Sequence, residues 1–210
     1  MDTRILIFGD SITWGAVDEE GGWAEKVKHY VDRKNISTNR MSSVYVLGVS
    51  GDSTKDLLKR FNLETQARLD DEADLMIIFA IGTNDSYVEV KSNKNHVSKD
   101  VFRQNLKELI RQAKKFTQNI LFLGLPPVDQ RVNPMHWKPT HAYLIEEIAK
   151  YNSILKKSTE EENVTFLDLF SKMSEENYSK LLFDGLHPNS EGHKHIYNFV
   201  IEYLIDKGAI

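Results

Sequence analysis

Five short apolar runs, four of them halted by a glycine, constrain this chain more than any other feature. They occupy residues 5–8 before Gly9, 44–47 before Gly48, 75–81 before Gly82, 120–123 before Gly124, and 164–167 before Asp168. A strand with one wet face alternates apolar and polar residues, whereas a strand covered on both faces reads as a continuous apolar run. Between the runs the period changes to that of helices. Trp23, Val27, Tyr30 and Val31 share one face, as do Phe102, Leu106, Leu109, Ala113 and Phe116 after a Ser98 cap. Leu144, Ile148, Tyr151 and Leu155 repeat the pattern, and a helix from about residue 53 to 69 carries Leu57, Leu58 and Phe61 inward. Ile196, Phe199, Val200, Tyr203 and Leu204 form the last face, with Gly208 as the stop. Strand and helix in alternation predict right-handed βαβ units, an α/β fold, and a three-layer α/β/α sandwich around a parallel sheet. The 210 residues are expected to form a single domain, residues 1–210.

Composition narrows the function. A net charge of -4 with no concentrated basic face predicts no nucleic-acid partner. Cysteine is absent, which excludes disulfides, a thiol nucleophile and thiolate metal sites. No stretch approaches the roughly 20 apolar residues of a membrane span. The first residues carry no secretory pattern, and a cytoplasmic location is expected. Nothing in the sequence sets an oligomeric state.

In an open parallel sheet, functional residues gather at the carboxyl ends of the strands. Three polar segments sit there: Gly9-Asp10-Ser11-Ile12, Gly48-Val49-Ser50-Gly51-Asp52, and Gly82-Thr83-Asn84-Asp85. A fourth, Asp184-Gly185-Leu186-His187-Pro188, precedes the last helix. Each alone is ordinary turn chemistry, the fourth with Ser190 as the cap of the helix behind it. Together they hold the parts of an acyl-transfer site. A serine hydroxyl needs a base to become a nucleophile, and His187 can serve because imidazole titrates near neutral pH. Asp184, three residues earlier, can reach the far ring nitrogen and fix its tautomer. The backbone N–H groups of Ser11 and Gly51 and the side-chain amide of Asn84 can serve as oxyanion donors.

These four segments resemble the blocks of the SGNH hydrolases, also called the GDSL esterase/lipase family. Phe8-Gly9-Asp10-Ser11-Ile12-Thr13-Trp14-Gly15 matches the first block, Val49-Ser50-Gly51-Asp52 the second, and Gly82-Thr83-Asn84-Asp85 the third. Asp184-Gly185-Leu186-His187-Pro188-Asn189 matches the fifth. The resemblance spans nearly the whole chain, with block order and spacing kept. It implies a flavodoxin-like sheet of five parallel strands and a serine esterase that works through an acyl-enzyme. Ser11, His187 and Asp184 would form the triad, Ser11, Gly51 and Asn84 the oxyanion hole, and no cofactor would be needed. Many members carry an asparagine two residues before the first glycine of the second block, where this chain has Val46; that position is not catalytic.

Rival assignments are weaker. Gly48-Val49-Ser50-Gly51-Asp52 begins like a G-x-S-x-G elbow but lacks its last glycine, which disfavours Ser50 as nucleophile. His187, His193, His195 and Asp184 crowd together, yet His193 and His195 are two apart on a helix and point to different sides, so no metal site is expected. His193 is expected to pack near the helix start and His195 to face water; His29, His96, His136 and His141 read as surface residues. Trp23 fits the core, Trp14 a substrate contact, and Trp137 a rim or dimer contact. Asp10 and Asp85 either brace the site or stabilise turns. Two long polar connections, residues 86–99 and 127–140, read equally well as binding loops and as surface excursions. The second lacks a broad apolar face, which favours small soluble or short-chain esters as the small-molecule substrate. Carbohydrate acetylesterase, thioesterase and lysophospholipase activities are the alternatives, with a non-catalytic binding module further off because none of the five site residues is missing.

Overall fold

The computed structural model describes residues 2–132, 136–175 and 177–210. β1 (Thr3–Gly9) runs into a single-turn helix α1 (Ser11–Trp14) and then α2 (Gly22–Thr38). β2 (Ser43–Gly48), α3 (Thr54–Gln66), β3 (Asp74–Ala80) and the one-turn α4 (Thr83–Ser86) follow. Two-residue strands β4 (Val88–Glu89) and β5 (Lys94–Asn95) precede α5 (Lys99–Ala113) and β6 (Ile120–Leu123). A 3-10 turn at Gln130–Val132, β7 (His141–Ala142), α6 (Ile145–Glu161), β8 (Thr165–Leu167) and α7 (Leu169–Ser174) come next. A second 3-10 turn at Tyr178–Leu181 and α8 (Ser190–Asp206) complete the order.

The five expected strands form one sheet in the order β2-β1-β3-β6-β8, every pair parallel. Successive side chains on each strand enter different cores, as a pleat requires. Leu6, Phe8, Ile77, Phe79 and Phe122 pack beneath α3, α5 and α6, against Leu57, Phe61, Phe102, Leu106, Tyr151 and Leu155. Ile5, Ile7, Met76, Ile78, Leu121 and Leu123 pack beneath α2, α7 and α8, against Trp23, Val27, Met173, Ile196 and Val200. The three layers follow directly. Phe8, Phe79 and Phe122 stack across neighbouring strands, with centroids 5.9 and 4.6 Å apart. The chain leaves β1 to one side for β2 and returns across it to β3, so a crevice opens at the carboxyl ends of β1 and β3.

Several local expectations shift. α3 stops at Gln66 rather than near residue 69, and it begins with a capping box between Ser53 and Asp56. α5 ends at Ala113, leaving Phe116 in the turn beyond. Asn189, not Ser190, caps α8: its side chain accepts from Gly192 N at 3.0 Å, and the Ser190 hydroxyl instead donates to Asp18. The connection 86–99 is no bare loop. It holds β4 and β5, which join β7 in a three-stranded antiparallel sheet ordered β5-β4-β7. Two-residue strands carry no periodicity for a sequence to display. In the other connection, residues 133–135 lie outside the described residues. Among the described residues no helix is long and apolar enough to cross a membrane.

Candidate active site

β1 ends in a sharp change of direction. Asp10 caps α1 by accepting from Ile12 N at 3.0 Å, which puts Ser11 at the first helical position. Gly48 at the end of β2 lies against this turn, where a Cβ would sit 2.3 Å from Trp14 N. Ser11 is buried, and its Oγ lies 3.0 Å from His187 Nε2. The other ring nitrogen, Nδ1, lies 2.8 Å from Asp184 Oδ2. An ionised carboxylate only accepts, so Nδ1 carries the proton and Nε2 offers its lone pair to the Ser11 hydroxyl.

The Asp184 turn is built to hold that ring. Asp184 Oδ1 accepts from Leu186 N at 3.0 Å and His187 N at 2.8 Å. An antiparallel bridge between Leu182 and Pro188 closes the turn, and Gly185 supplies its left-handed residue at φ 87°. Burial opposes ionisation of Asp184, but the His187 ring and the two backbone donors outweigh it and hold the carboxyl below its ordinary value.

Gly51 follows β2 in the left-handed region, at φ 85°, and a Cβ there would project into open space. Asn84 follows β3. Its Nδ2 donates to Asp52 O at 3.0 Å, and its Oδ1 accepts from the Tyr143 hydroxyl at 2.8 Å. The structure therefore brings the Ser11, Gly51 and Asn84 segments to the ends of adjacent strands, with the Asp184–His187 pair against Ser11.

Three supporting residues escaped the sequence. Arg60 of α3 donates from Nε to Asp52 Oδ2 at 2.8 Å, and from Nη2 to Gly9 O at 3.1 Å and Leu47 O at 3.0 Å. One guanidinium thus ties the ends of β1 and β2 to the Gly51 loop. An arginine one turn from the buried Leu57 on an amphipathic helix was the signal available. Tyr143 comes straight after β7, and Thr54 begins α3. Asp85, fully buried, accepts from Thr54 N at 2.9 Å and from the Thr54 hydroxyl, fastening the Gly51 loop to the Asn84 turn. Burial pushes the Asp85 carboxyl up to about 7, against the pull of the Thr54 hydrogen bonds. Burial also pushes Asp10 up to about 6, against its hydrogen bond from Ile12 and the nearby His187. Both carboxylates brace the site and stabilise its turns.

The aromatic and histidine expectations divide. Trp23 is fully buried, Trp14 is exposed beside the Ser11 turn, and exposed Trp137 has its ring centroid 5.7 Å from that of His187. His193 is buried: Nδ1 accepts from Trp23 N at 3.3 Å, and Nε2 faces Ala16 O at 3.4 Å. His195 is half-buried rather than open to water. His29, His96 and His136 are exposed, as expected, while His141 is half-buried. His96 Nδ1 lies 2.7 Å from the Tyr87 hydroxyl with the rings stacked, and His141 packs on the same tyrosine at 3.9 Å between centroids. Among the described residues no three His, Asp or Glu side chains converge as a metal site.

Comparison with known proteins places the chain in a family. The profile of the GDSL-like Lipase/Acylhydrolase family matches residues 7–195. The isoamyl acetate-hydrolyzing esterase 1 homolog of Rattus norvegicus is 26% identical over 97% of this chain and 82% of its own length. Among solved structures, a lipase/acylhydrolase from Enterococcus faecalis superposes with a TM-score of 0.73 at 23% identity, covering 99% of this chain and 97% of its own. An acetyl xylan esterase superposes with a TM-score of 0.74 at 18% identity, covering 96% and 99%. The chain belongs to the GDSL-like lipase/acylhydrolase family, and with it to the carboxylic-ester hydrolases.

Proposed function

We propose that the chain is a serine esterase acting through an acyl-enzyme on small soluble or short-chain esters, with acetate esters foremost. The observation that carries this is the continuous link from Ser11 Oγ through both nitrogens of His187 to Asp184, at 3.0 and 2.8 Å. In the proposed cycle His187 Nε2 takes the Ser11 proton as Oγ bonds to the ester carbonyl carbon. Negative charge then collects on the former carbonyl oxygen, where Ser11 N–H, Gly51 N–H and the Asn84 amide donate to it. The carbon–oxygen bond to the alcohol breaks, and His187 returns its proton to the leaving alkoxide. Water enters, gives a proton to His187, attacks the acyl carbon and releases the acid, restoring the Ser11 hydroxyl. Asp184 stabilises the imidazolium throughout and keeps its own charge.

The preference for acetate draws on two neighbours, one named for isoamyl acetate hydrolysis and one for acetyl xylan. Exposed Trp14 and Trp137 beside the cleft suit a compact alcohol stacked on an aromatic face. The test is a series of p-nitrophenyl esters of rising chain length beside acetylated sugars, run on the parent and on Ser11→Ala. Turnover should fall as the acyl chain lengthens, and Ser11→Ala should lose about 10⁶-fold in kcat. Fluorophosphonate should label the parent and not the variant. Turnover retained in Ser11→Ala would refute the nucleophile, and a preference for long acyl chains would refute the substrate class.

A further inference from the structure

Tyr143 is buried, and the acyl-transfer chemistry above makes no use of it. Its position comes from the small antiparallel sheet. Asn84 lies in α4, and after Tyr87 the chain enters β4. β4 pairs with β7, Val88 opposite Ala142 and Glu89 opposite His141, and Tyr143 is the next residue. The sheet closes this stretch on itself and delivers the Tyr143 hydroxyl to Asn84 Oδ1 at 2.8 Å.

An asparagine amide has two faces that look alike in shape but exchange donor for acceptor when turned. Two partners decide between them at Asn84. The Asp52 carbonyl only accepts, so it must meet Nδ2, at 3.0 Å. Oδ1 is then left facing Tyr143, and the hydroxyl must donate. Burial drives the Tyr143 hydroxyl's pKa well up, with the charge of Asp10 and the neighbouring Tyr87 and Asp184 adding to it, so the proton stays in place. Donation into Oδ1 draws electron density from the amide and strengthens its N–H groups as donors. One N–H is spent on Asp52, and the other, which meets no partner among the described residues, is left for a substrate oxygen.

We propose that Tyr143 is a positioning residue for ester hydrolysis: its hydroxyl locks and polarises the Asn84 amide so that one N–H faces the developing oxyanion. This rests on Asn84 as an oxyanion donor. The amide would otherwise rock about its last torsion, and an oxyanion contact gains its value from being fixed before charge develops.

Four proteins test it: the parent, Tyr143→Phe, Asn84→Ala and the double variant, assayed on p-nitrophenyl acetate with melting temperatures recorded. Asn84→Ala should lose roughly 10²–10³-fold in kcat. Tyr143→Phe should lose about tenfold in kcat, the worth of one hydrogen bond, with KM little changed. The double variant should be no slower than Asn84→Ala alone, because the hydroxyl acts only through the amide. A folded Tyr143→Phe with full kcat overturns the proposal while leaving Asn84 its role. A double variant slower than Asn84→Ala by the full Tyr143→Phe factor overturns it too, since the hydroxyl would then act elsewhere. An Asn84→Ala variant with undiminished kcat removes the donor itself, and the proposal with it. Should Tyr143→Phe not fold, proton NMR decides. The Tyr143 hydroxyl proton should resist exchange in the parent and exchange faster in Asn84→Ala, and equal exchange in both overturns the lock.

Discussion

Asp184 and Asp85 flank the same cleft, carry the same side chain and both accept backbone hydrogen bonds, yet they are pushed in opposite directions. Asp184 faces His187 and keeps a side chain 13% exposed; its carboxyl is held below the ordinary range. Asp85 is sealed at 0% exposure with the Asp10 carboxyl for a neighbour, and burial takes it up to about 7. Hydrogen bonds alone therefore do not set the charge of a carboxyl here. A partner able to carry positive charge, and a path to solvent, decide whether burial or hydrogen bonding wins. The result is a division of labour. In the proposed mechanism the Asp184 side handles charge during the reaction, while Asp85 fastens the Gly51 loop to the Asn84 turn.

The comparison breaks first at Asp184, where the effect should be largest. Asp184→Asn keeps an oxygen for Leu186 N and His187 N, so the turn should survive. Its amide would face His187 Nδ1 as a donor, however, forcing the proton onto Nε2 and denying Ser11 its base. kcat should fall about 10⁴-fold, as in other triads with this exchange, while the melting temperature moves little. A variant within tenfold of the parent would show that His187 does not depend on the carboxylate.

Asp85 should answer to stability and pH instead. Its folded value, about 7, lies above that of an unfolded aspartate, so its contribution is fully present below about pH 4. That contribution is lost as pH rises through 7. Asp10, at about 6, works in the same sense. Asp85→Asn removes one of the two penalties. Measured by urea unfolding, the variant should gain on the parent between pH 4 and pH 8 by on the order of 3–4 kcal/mol. A difference between the two proteins that stays constant across that range would mean that Asp85 ionises in the fold as easily as in water.

The two sides were not equally legible beforehand. Continuous apolar runs marked the five strands of the main sheet, most clearly the central β1, β3 and β6, where burial on both faces leaves few polar positions to confuse the pattern; the edge strand β8 carries exposed Thr165. Their ends pointed to Ser11, Gly51 and Asn84. Asp184 and His187 follow no strand of that sheet; only their spacing and their match to the family blocks marked them. Asp85 was visible as an adjoining carboxyl, but its attachment to Thr54 spans 31 positions and leaves no local trace. Tyr143 was invisible for a related reason. β4 and β7 are two residues each, too short for a period, and the hydroxyl's target lies 59 positions away. His141 looked like a surface residue because Tyr87, the ring it packs on, leads directly into β4 of that same hidden sheet; His96, exposed as expected, stacks on the same ring.

The finest test of the comparison is Thr54→Val, which changes the hydrogen bonding of Asp85 without changing its burial. The Thr54 hydroxyl donates to Asp85 and accepts from Asn105 Nδ2 at 2.9 Å, while Thr54 N, which the substitution keeps, also donates to Asp85. Losing one of two donors should cost about 1 kcal/mol of stability. The cost should depend on pH in a definite sense. The hydroxyl lowers the Asp85 value by favouring its charged form, so its loss should raise that value further. The penalty in urea unfolding should therefore be larger at pH 8.5, where the parent's Asp85 is charged, than at pH 5, where it is neutral. An equal loss at both pH values would mean that the hydroxyl serves the packing of α3 and does nothing for the carboxylate, leaving burial and the neighbouring charges to set Asp85 apart from Asp184.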